Sequence, residues 1–311
     1  ADLSADTSIR EVYTVSPASF EQVPGSPFAY WVSDRVRLSF GELPSFESEL
    51  RRAKQGLATA DDFRFVRAWW EIPPAHVVSG SIGMDAASFL QQTYGEHEWA
   101  PFAKGGAFSP FYSDIHLLVC WGRDGEEIKY FIDPSTHRPY SRPQNTEYYF
   151  LAGLTWSDRT TRRFSGRAWP AGGIFSVKGS AGFFPGIEGF AMGLMNSSAF
   201  SGFLSLLVGA ADQAARSYQV GIIGQVPFPA VGETEISRVT ALAREAHDRK
   251  RDADRDDEVT HPFTVPALAR RRAQQTLMAA GAALSEEDAA RERRLAEIQR
   301  EIDDRCFALY D

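Results

Sequence analysis

Short apolar runs, each broken by glycine, proline or another turn residue, fill the chain from residue 56 to residue 230. Runs of this length are typical of strands rather than of long helices. The pattern changes after about Val231, where apolar residues recur at helical spacing among charged ones. The sequence therefore predicts an α+β protein, with a mixed α/β domain that contains hairpin strands and an α-helical spacer hairpin behind it.

Four segments before residue 231 have specific predictions. FESELRRAKQ, residues 46–55, favours a helix. IHLLVCW and EIKYFID lie on either side of Asp124-Gly125, which predicts a β-hairpin over residues 115–133. GGIFSVKG predicts a strand, and residues 191–209 predict a buried helix that small residues interrupt.

Three helices are predicted beyond residue 230. The first has apolar residues at helical spacing from Ile236 to Ala246. The second begins near Thr264 and the third near Ser285, which forms a capping-box-like pair with Asp288. The third helix carries an apolar stripe that we expect to pack against the second helix, residues 265–282, in an antiparallel hairpin: Leu295, Ile298, Ile302 and Leu309.

Composition narrows the classes of function. The 311 residues, 43% hydrophobic and 24% charged, suffice for one large domain or two ordinary ones. No apolar run approaches the roughly 20 residues that cross a bilayer, and the first residues lack the features of a signal peptide. We therefore expect a cytoplasmic protein without a membrane partner. Cys120 and Cys306 are too few and too far apart for a disulfide framework or a zinc site.

A net charge of -8 argues against a nucleic-acid partner, because neutralising phosphates needs Lys and Arg. The distribution of charge matters more than its sum. Between residues 155 and 180 one acid, Asp158, stands against five cations: Arg159, Arg162, Arg163, Arg167 and Lys178. The sequence thus allows a local basic face on an acidic protein.

Hydroxyl and guanidinium groups are concentrated in TWSDRTTRR, residues 155–163. These groups are the donors that most often meet phosphate oxygens and guanine edges, whereas a solvated turn would not need such an excess of Arg over acid. Thr155, Trp156 and Ser157 begin this segment and are included in the predicted DNA-binding surface.

Two further segments are candidates for DNA contact. Lys104, in KGG, lies in a flexible basic loop that could bring backbone amides close to a phosphate, although an ordinary glycine turn is the alternative. Arg64 and Arg67 share a face if their segment is helical. They either contact DNA or pair with Asp61 and Asp62.

No catalytic, metal-binding or cofactor-binding residue is predicted. IPPA, residues 72–75, lacks the Asn or Asp before the prolines and the aromatic residue after them that adenine methyltransferases use to hold a flipped base. The glycines of GSAGFFPGIEGF lack a strand-then-helix context, the six histidines form no ligand pair, and no GxSxG motif is present.

Four blocks, in this order, carry a resemblance: PGSPFAYW (24–31), GLATADDFRFVRAWWEI (56–72), KGGAFSPFYSDIHLLVCW (104–121) and NTEYYFLAGLTWSDRTTRRFSGRAWPAGGIFSVKG (145–179). Together they resemble the region that follows the catalytic domain in the BREX PglX-like and type IIG-like adenine-specific DNA methyltransferases of phage-defence systems, with the DISARM methyltransferase as a close relative. The resemblance covers about residues 10 to 265.

The resemblance implies a connector to a missing catalytic domain over residues 1–55, which include the hydrophobic start IREVYTV (9–15), a DNA target-recognition domain over 56–230, and a helical spacer over 231–311. It implies double-stranded DNA as a partner, a catalytic domain or subunit that binds S-adenosylmethionine, and possible contacts with other defence proteins. That catalytic part would precede residue 1 or be a separate polypeptide. The alternatives are a protein-interaction module without DNA contact, which exposed aromatic and Arg residues would also suit, and a carbohydrate-binding or hydrolytic domain, which aromatic content alone suggests.

Overall fold

A computed structural model describes residues 21–27, 32–81, 83–208, 216–271 and 276–311. In this part the helices are α1 (Asp34–Glu42), α2 (Asp62–Phe65), α3 (Ala86–Gln92), α4 (Gly122–Lys129), α5 (Glu188–Asn196), α6 (Ser198–Val208), α7 (Val220–Ile223), α8 (Glu233–Ala253), α9 (Ala267–Arg270) and α10 (Leu277–Ala308). The strands are β1 (Arg52–Lys54), β2 (Val66–Ala68), β3 (Trp99–Ala103), β4 (Leu117–Cys120), β5 (Gly153–Thr155), β6 (Arg159–Thr160), β7 (Arg167–Trp169), β8 (Ile174–Phe175), β9 (Ala181–Phe183) and β10 (Arg216–Ser217). The predicted hydrophobic start at residues 9–15, and residues 28–31 of the first resembling block, lie outside the described residues.

The strands form two four-stranded sheets, in the orders β1-β9-β5-β7 and β2-β4-β3-β8, and one pair, β10-β6. Neighbouring strands are antiparallel except β3 and β8, which are parallel. The combination of helices with several mixed sheets confirms the predicted α+β class. The predicted strand in GGIFSVKG is present as β8.

Sheet β1-β9-β5-β7 separates two hydrophobic cores. On one side Leu154, together with Trp156 directly after β5, packs with apolar residues of α5, α6, α8 and α10. On the other side Ala181 and Phe183 of β9 pack with residues of sheet β2-β4-β3-β8, including Phe102. Every residue of β5 and β9 is buried, because both faces of these strands are covered.

Helices α5 and α6 form the predicted buried helical stretch, with a bend of 66° between them. Asn196 stabilises the break, because its side chain donates to the carbonyl oxygens of Gly166 (2.7 Å) and Met192 (2.8 Å) and accepts from the Gly166 amide (3.0 Å). Among the described residues no single helix is long and apolar enough to cross a membrane, and this bent pair, which has the length and composition to do so, lies largely within the core.

Helices α8 and α10 run antiparallel, as their ion pairs show. Glu245 of α8 accepts hydrogen bonds from Arg294 at 2.8 Å, and Glu235, almost three turns earlier, accepts one from Arg305 at 2.7 Å. The Arg294 guanidinium holds the pKa of Glu245 down at about 2. Helix α8 confirms the predicted first helix and extends it to Ala253.

Two predictions in the first part of the chain are wrong. Residues 46–55 form no helix, because Phe46 is buried among other phenylalanine rings and residues 52–54 pair with β9. The predicted hairpin over 115–133 has its first strand, β4, and its turn, but no second strand. Residues 123–125 take left-handed backbone angles, with φ between 51° and 72°, and the chain then enters the helical turns that end at Lys129.

The predicted division of the last two helices is also wrong. Thr276 caps α10, its hydroxyl accepting from the Ala279 amide at 3.1 Å, and the helix continues unbroken past Ser285. Before α10, the described part of the predicted second helix is helical only in the four residues of α9. The apolar stripe around Ile298 and Ile302 therefore packs against α8, α6 and α5 instead of residues 265–282. The antiparallel helical pair of this region is α8 with α10.

The contact between α5 and α8 depends on glycine. A Cβ atom on Gly193 would lie 2.4 Å from Cγ1 of Val239, a buried β-branched side chain that cannot easily move aside. We expect Gly193→Ala to lower the free energy of unfolding by about 1 to 3 kcal/mol through overpacking. Gly202 in α6 has no atom of the described residues within 4 Å of such a Cβ, so Gly202→Ala should be neutral or stabilising by up to about 1 kcal/mol. Urea denaturation measures both, and equal effects would contradict this close packing.

Candidate nucleic-acid interface

Residues 159–163, here called the basic segment, lie on the surface beyond the end of β5. At the start of this segment β6 pairs with β10, which places Arg216 opposite Thr160. Arg162 and Arg163 follow, and both side chains are exposed. In the described part of the chain neither of these two arginines has an ion-pair partner. Within the described ranges, Arg162 and Arg163 are therefore cationic groups without an acid to pair with.

Buried aromatic side chains hold both ends of the basic segment. Trp156 precedes it and Phe164 follows it, with their ring centroids 5.9 Å apart. The indole Nε1 of Trp156 donates to the carbonyl oxygen of Tyr218 at 2.9 Å, which ties the segment to the chain that follows β10. The exposed residues between these anchors are thus carried by the core.

A glycine segment, residues 105–108, faces the basic segment. Gly105 and Gly106 have φ values of 78° and 133°, which side chains rarely adopt. Next to them the ring of Phe108 lies under two guanidinium groups, 5.8 Å from that of Arg162 and 5.6 Å from that of Arg163. Between the two segments is a groove of about 420 Å³. The two regions predicted separately from the sequence are therefore adjacent in space.

Arg167 of β7 supports the glycine segment from inside. Only 3% of it is exposed, and it donates to the carbonyl oxygen of Ala107 at 3.2 Å and to the hydroxyl of Ser157 at 2.7 Å. That hydroxyl in turn donates to the carbonyl oxygen of Gly106 at 2.8 Å. Burial lowers the pKa of Arg167 to about 10, so the group stays charged at neutral pH. No carboxylate pairs with it among the described residues.

Among the remaining predicted residues, Thr155 and Lys104 interact with other groups of the protein, whereas Lys178 stays exposed. Thr155 is buried and donates to the carbonyl oxygens of Gly179 (3.2 Å) and Ser180 (3.0 Å). Lys104 forms an ion pair with Asp62, and burial lowers the pKa of this lysine. Lys178 is mostly exposed and lies 3.7 Å from Asp158, so its ammonium group remains accessible at the surface.

Arg64 and Arg67 do not line this groove. Arg64, in α2, donates from Nε to Glu127 at 3.0 Å and also contacts the Phe65 and Phe131 rings. Arg67, in β2, donates to the carbonyl oxygens of Phe63 (2.6 Å) and Val66 (2.7 Å). The alternative prediction, that these arginines form ion pairs with Asp61 and Asp62, is wrong. The Arg64 guanidinium pairs with Glu127 instead, and the Arg67 guanidinium donates to backbone carbonyl oxygens.

Phe108, which lines the groove, and Arg216, which lies opposite Thr160 beside it, were not predicted from the sequence. The aromatic residue in KGGAF is visible beside the glycines, whereas Arg216 carries no local signal because its position depends on pairing between β10 and β6. No group of three or more His, Cys, Asp or Glu side chains that could hold a metal ion occurs in the described ranges.

The chain is homologous to adenine-specific methyltransferases. It is 28% identical over 236 residues to the adenine-specific methyltransferase PglX of Lacticaseibacillus casei (strain Zhang), a match that covers 75% of this chain and 19% of that protein. It is 32% identical over 165 residues to the adenine-specific methyltransferase BrxX of Escherichia coli O9:H4 (strain HS), covering 53% of this chain and 12% of the relative. The chain thus spans less than a fifth of either relative. No protein-family model matches it.

Ser157→Ala tests whether the buried Arg167 supports the groove. Removing the hydroxyl leaves a buried guanidinium without one acceptor, so the free energy of unfolding should fall by about 1 to 3 kcal/mol. The amides of residues 105–108 should also exchange faster with solvent. Thr161→Ala, at an exposed position in the basic segment, serves as control and should change stability by less than about 0.5 kcal/mol. Unchanged amide exchange in Ser157→Ala would contradict the supporting role.

Proposed function

We propose that this chain is the DNA-binding, target-recognition part of a phage-defence adenine-N6 DNA methyltransferase of the BREX or type IIG-like kind, and that it selects the site to be methylated. The observation that carries the proposal is the groove that joins the glycine segment to the basic segment. Homology to PglX and BrxX supports the class of enzyme. Double-stranded DNA and a catalytic methyltransferase domain or subunit are the proposed partners.

The groove offers the donors that a DNA backbone needs. Arg162 and Arg163 lie over Phe108, which limits the motion of their guanidinium planes and leaves their N–H groups available to phosphate oxygens or base edges. Arg159 and Arg216 extend the cationic surface along β6 and β10. The buried charge of Arg167, beneath the glycine segment, adds to the positive electrostatic potential of the groove, because little water screens it there.

The buried members of the predicted set have a supporting part in this proposal. Thr155, Trp156 and Ser157 are covered by the core, so they hold the basic segment in place while the exposed arginines contact DNA. Arg64 and Arg67, which lie outside the groove, and Lys104, which is ion-paired, remain candidates for contacts beyond the groove.

Methyl transfer itself is not assigned to residues of this chain. The prolines of IPPA lead into a short 3₁₀ turn, Pro74–His76, without the acidic or amide residue and the aromatic residue that grip an adenine. In our proposal S-adenosylmethionine belongs to the catalytic part of the parent enzyme. The connector, recognition and spacer roles of residues 1–55, 56–230 and 231–311, and the cytoplasmic location, are parts of the same proposal.

One observation favours a second function, contact with another protein. Phe63 is 91% exposed, Tyr130 72% and Trp70 57%. Large exposed aromatic side chains are typical of protein interfaces. Such a contact would bring in a catalytic subunit or another defence component, and it would depend little on ionic strength.

Removing three guanidinium groups tests the groove. We expect replacement of Arg159, Arg162 and Arg163 together by Ala to weaken binding to mixed-sequence 30-base-pair duplexes by roughly 2 to 5 kcal/mol. The slope of log affinity against log salt should become shallower by about 0.9 for each phosphate that the variant no longer neutralises. Fluorescence anisotropy at a series of salt concentrations measures both quantities.

The matched control removes the same charge elsewhere. Arg238, Arg293 and Arg300 are exposed on α8 and α10, and their joint replacement by Ala should leave the salt slope nearly unchanged. Equal losses of affinity in both triple variants would mean that the groove arginines contribute only through the overall charge of the protein. Absence of salt-dependent DNA binding by the unaltered chain would overturn the proposal and favour the protein-interaction function.

A further inference from the structure

A second cavity, of about 550 Å³, lies at the far end of the stretch that begins with the glycine segment. The stretch from residue 105 to residue 115 borders the basic groove at its start and this cavity at its end. One wall comes from the sheets and includes Trp169. The opposite wall comes from α8 and the chain behind it, including His247 and His261. None of the exposed arginines predicted to bind DNA lines this cavity.

The cavity walls present flat, mainly apolar side chains. Tyr112 is held edge-on to His247, with ring centroids 5.2 Å apart and planes at 87°. Trp169 is buried, and Pro170 and Pro262 complete the apolar lining. A volume within the range of small-molecule sites, roughly 300 to 1,000 Å³, and flat walls of this kind suit a planar ring.

The polar groups of the cavity are few and fixed. Asp114 accepts from Nδ1 of His261 at 3.0 Å, and burial opposes its charged form, but the hydrogen bonds from His261 prevail and lower the pKa of Asp114. Its carboxylate is therefore an ionised acceptor. A ligand that carries a hydrogen-bond donor would complement this carboxylate.

A free cation stands at the edge of the same cavity. Arg251 lines it from α8, its side chain is exposed, and no ion pair to it occurs in the part of the chain that the structure describes. A guanidinium group in this position suits a phosphate, which it can bind through two N–H groups.

We propose that this cavity binds a nucleobase that carries a phosphate. The base stacks between Tyr112 and the proline-lined wall, its amino edge faces Asp114, and its phosphate pairs with Arg251. The same chemistry is offered by a free mononucleotide and by a single unstacked base of a DNA strand. The inference goes beyond the proposed function, because a free nucleotide can occupy the cavity whether or not DNA lies in the basic groove.

Calorimetry on the complete chain with dAMP, deoxyadenosine and inorganic phosphate tests the site. Saturable binding of dAMP is expected, with Arg251→Gln weakening it on the order of tenfold while leaving the weaker binding of deoxyadenosine unchanged. Arg255→Gln is the control, since Arg255 is an exposed arginine one turn further along, and it should bind dAMP like the unaltered chain. Inorganic phosphate that competes as well as dAMP, or equal effects of the two substitutions, would overturn the proposal.

A duplex with one 2-aminopurine opposite an abasic position distinguishes the two sources of the base. A fluorescence change whose apparent affinity Arg251→Gln weakens on the order of tenfold supports a base of the DNA strand, and dAMP binding without this change supports a free nucleotide. Absence of both signals in the unaltered chain would overturn the proposal. The variant that lacks Arg159, Arg162 and Arg163 should still bind dAMP, so failure of the cavity and failure of the basic groove give different results.

Discussion

The sheet β1-β9-β5-β7 is covered on both faces, and the positions of the other elements follow from that constraint. Its strands must bring apolar or very small residues to two cores at once. Gly182 of β9 leaves room for the Phe184 ring, since a Cβ there would lie 2.6 Å from Cε2 of that ring, and a Cβ on Gly153 would lie 2.4 Å from the Gly182 carbonyl oxygen. These close contacts fix the positions of β5 and β7, and the basic segment lies between these two strands in the chain.

The sequence was sufficient where the signal was local. A run of apolar and small residues predicted one buried helix over 191–209, where the structure has α5 and α6, and helical spacing predicted α8. The sequence-based predictions were wrong where contacts between residues far apart in the chain determine the local structure. Phe46 is drawn into a core built by residues more than 100 positions away, which overrides the helical preference of its neighbours. Ser285 with Asp288 resembled a helix start, yet both lie inside α10.

For the candidate interface, the sequence could indicate which residues take part but not how they are arranged in space. Its basic segment is visible in the sequence, but the ring of Phe108 under two arginines and the support of Gly106 through Ser157 exist only after β7 has paired with β5. Burial also separated the predicted residues into exposed and enclosed ones. Periodicity could not show this, because strands as short as β5 and β6 carry too few residues for a pattern.

The anchoring of the basic segment by Trp156 and Phe164 has a consequence for how such a protein can diverge. The exposed residues Thr161, Arg162 and Arg163 between these two rings contribute little to the core, so changes in their identity leave the fold intact, and even doubling the length of a flexible loop costs only about 0.6 kcal/mol in chain entropy. Mutational drift can therefore sample many surface chemistries at this place without passing through unfolded intermediates. A few substitutions at these exposed positions would therefore change the chemistry of this surface while the scaffold stays the same.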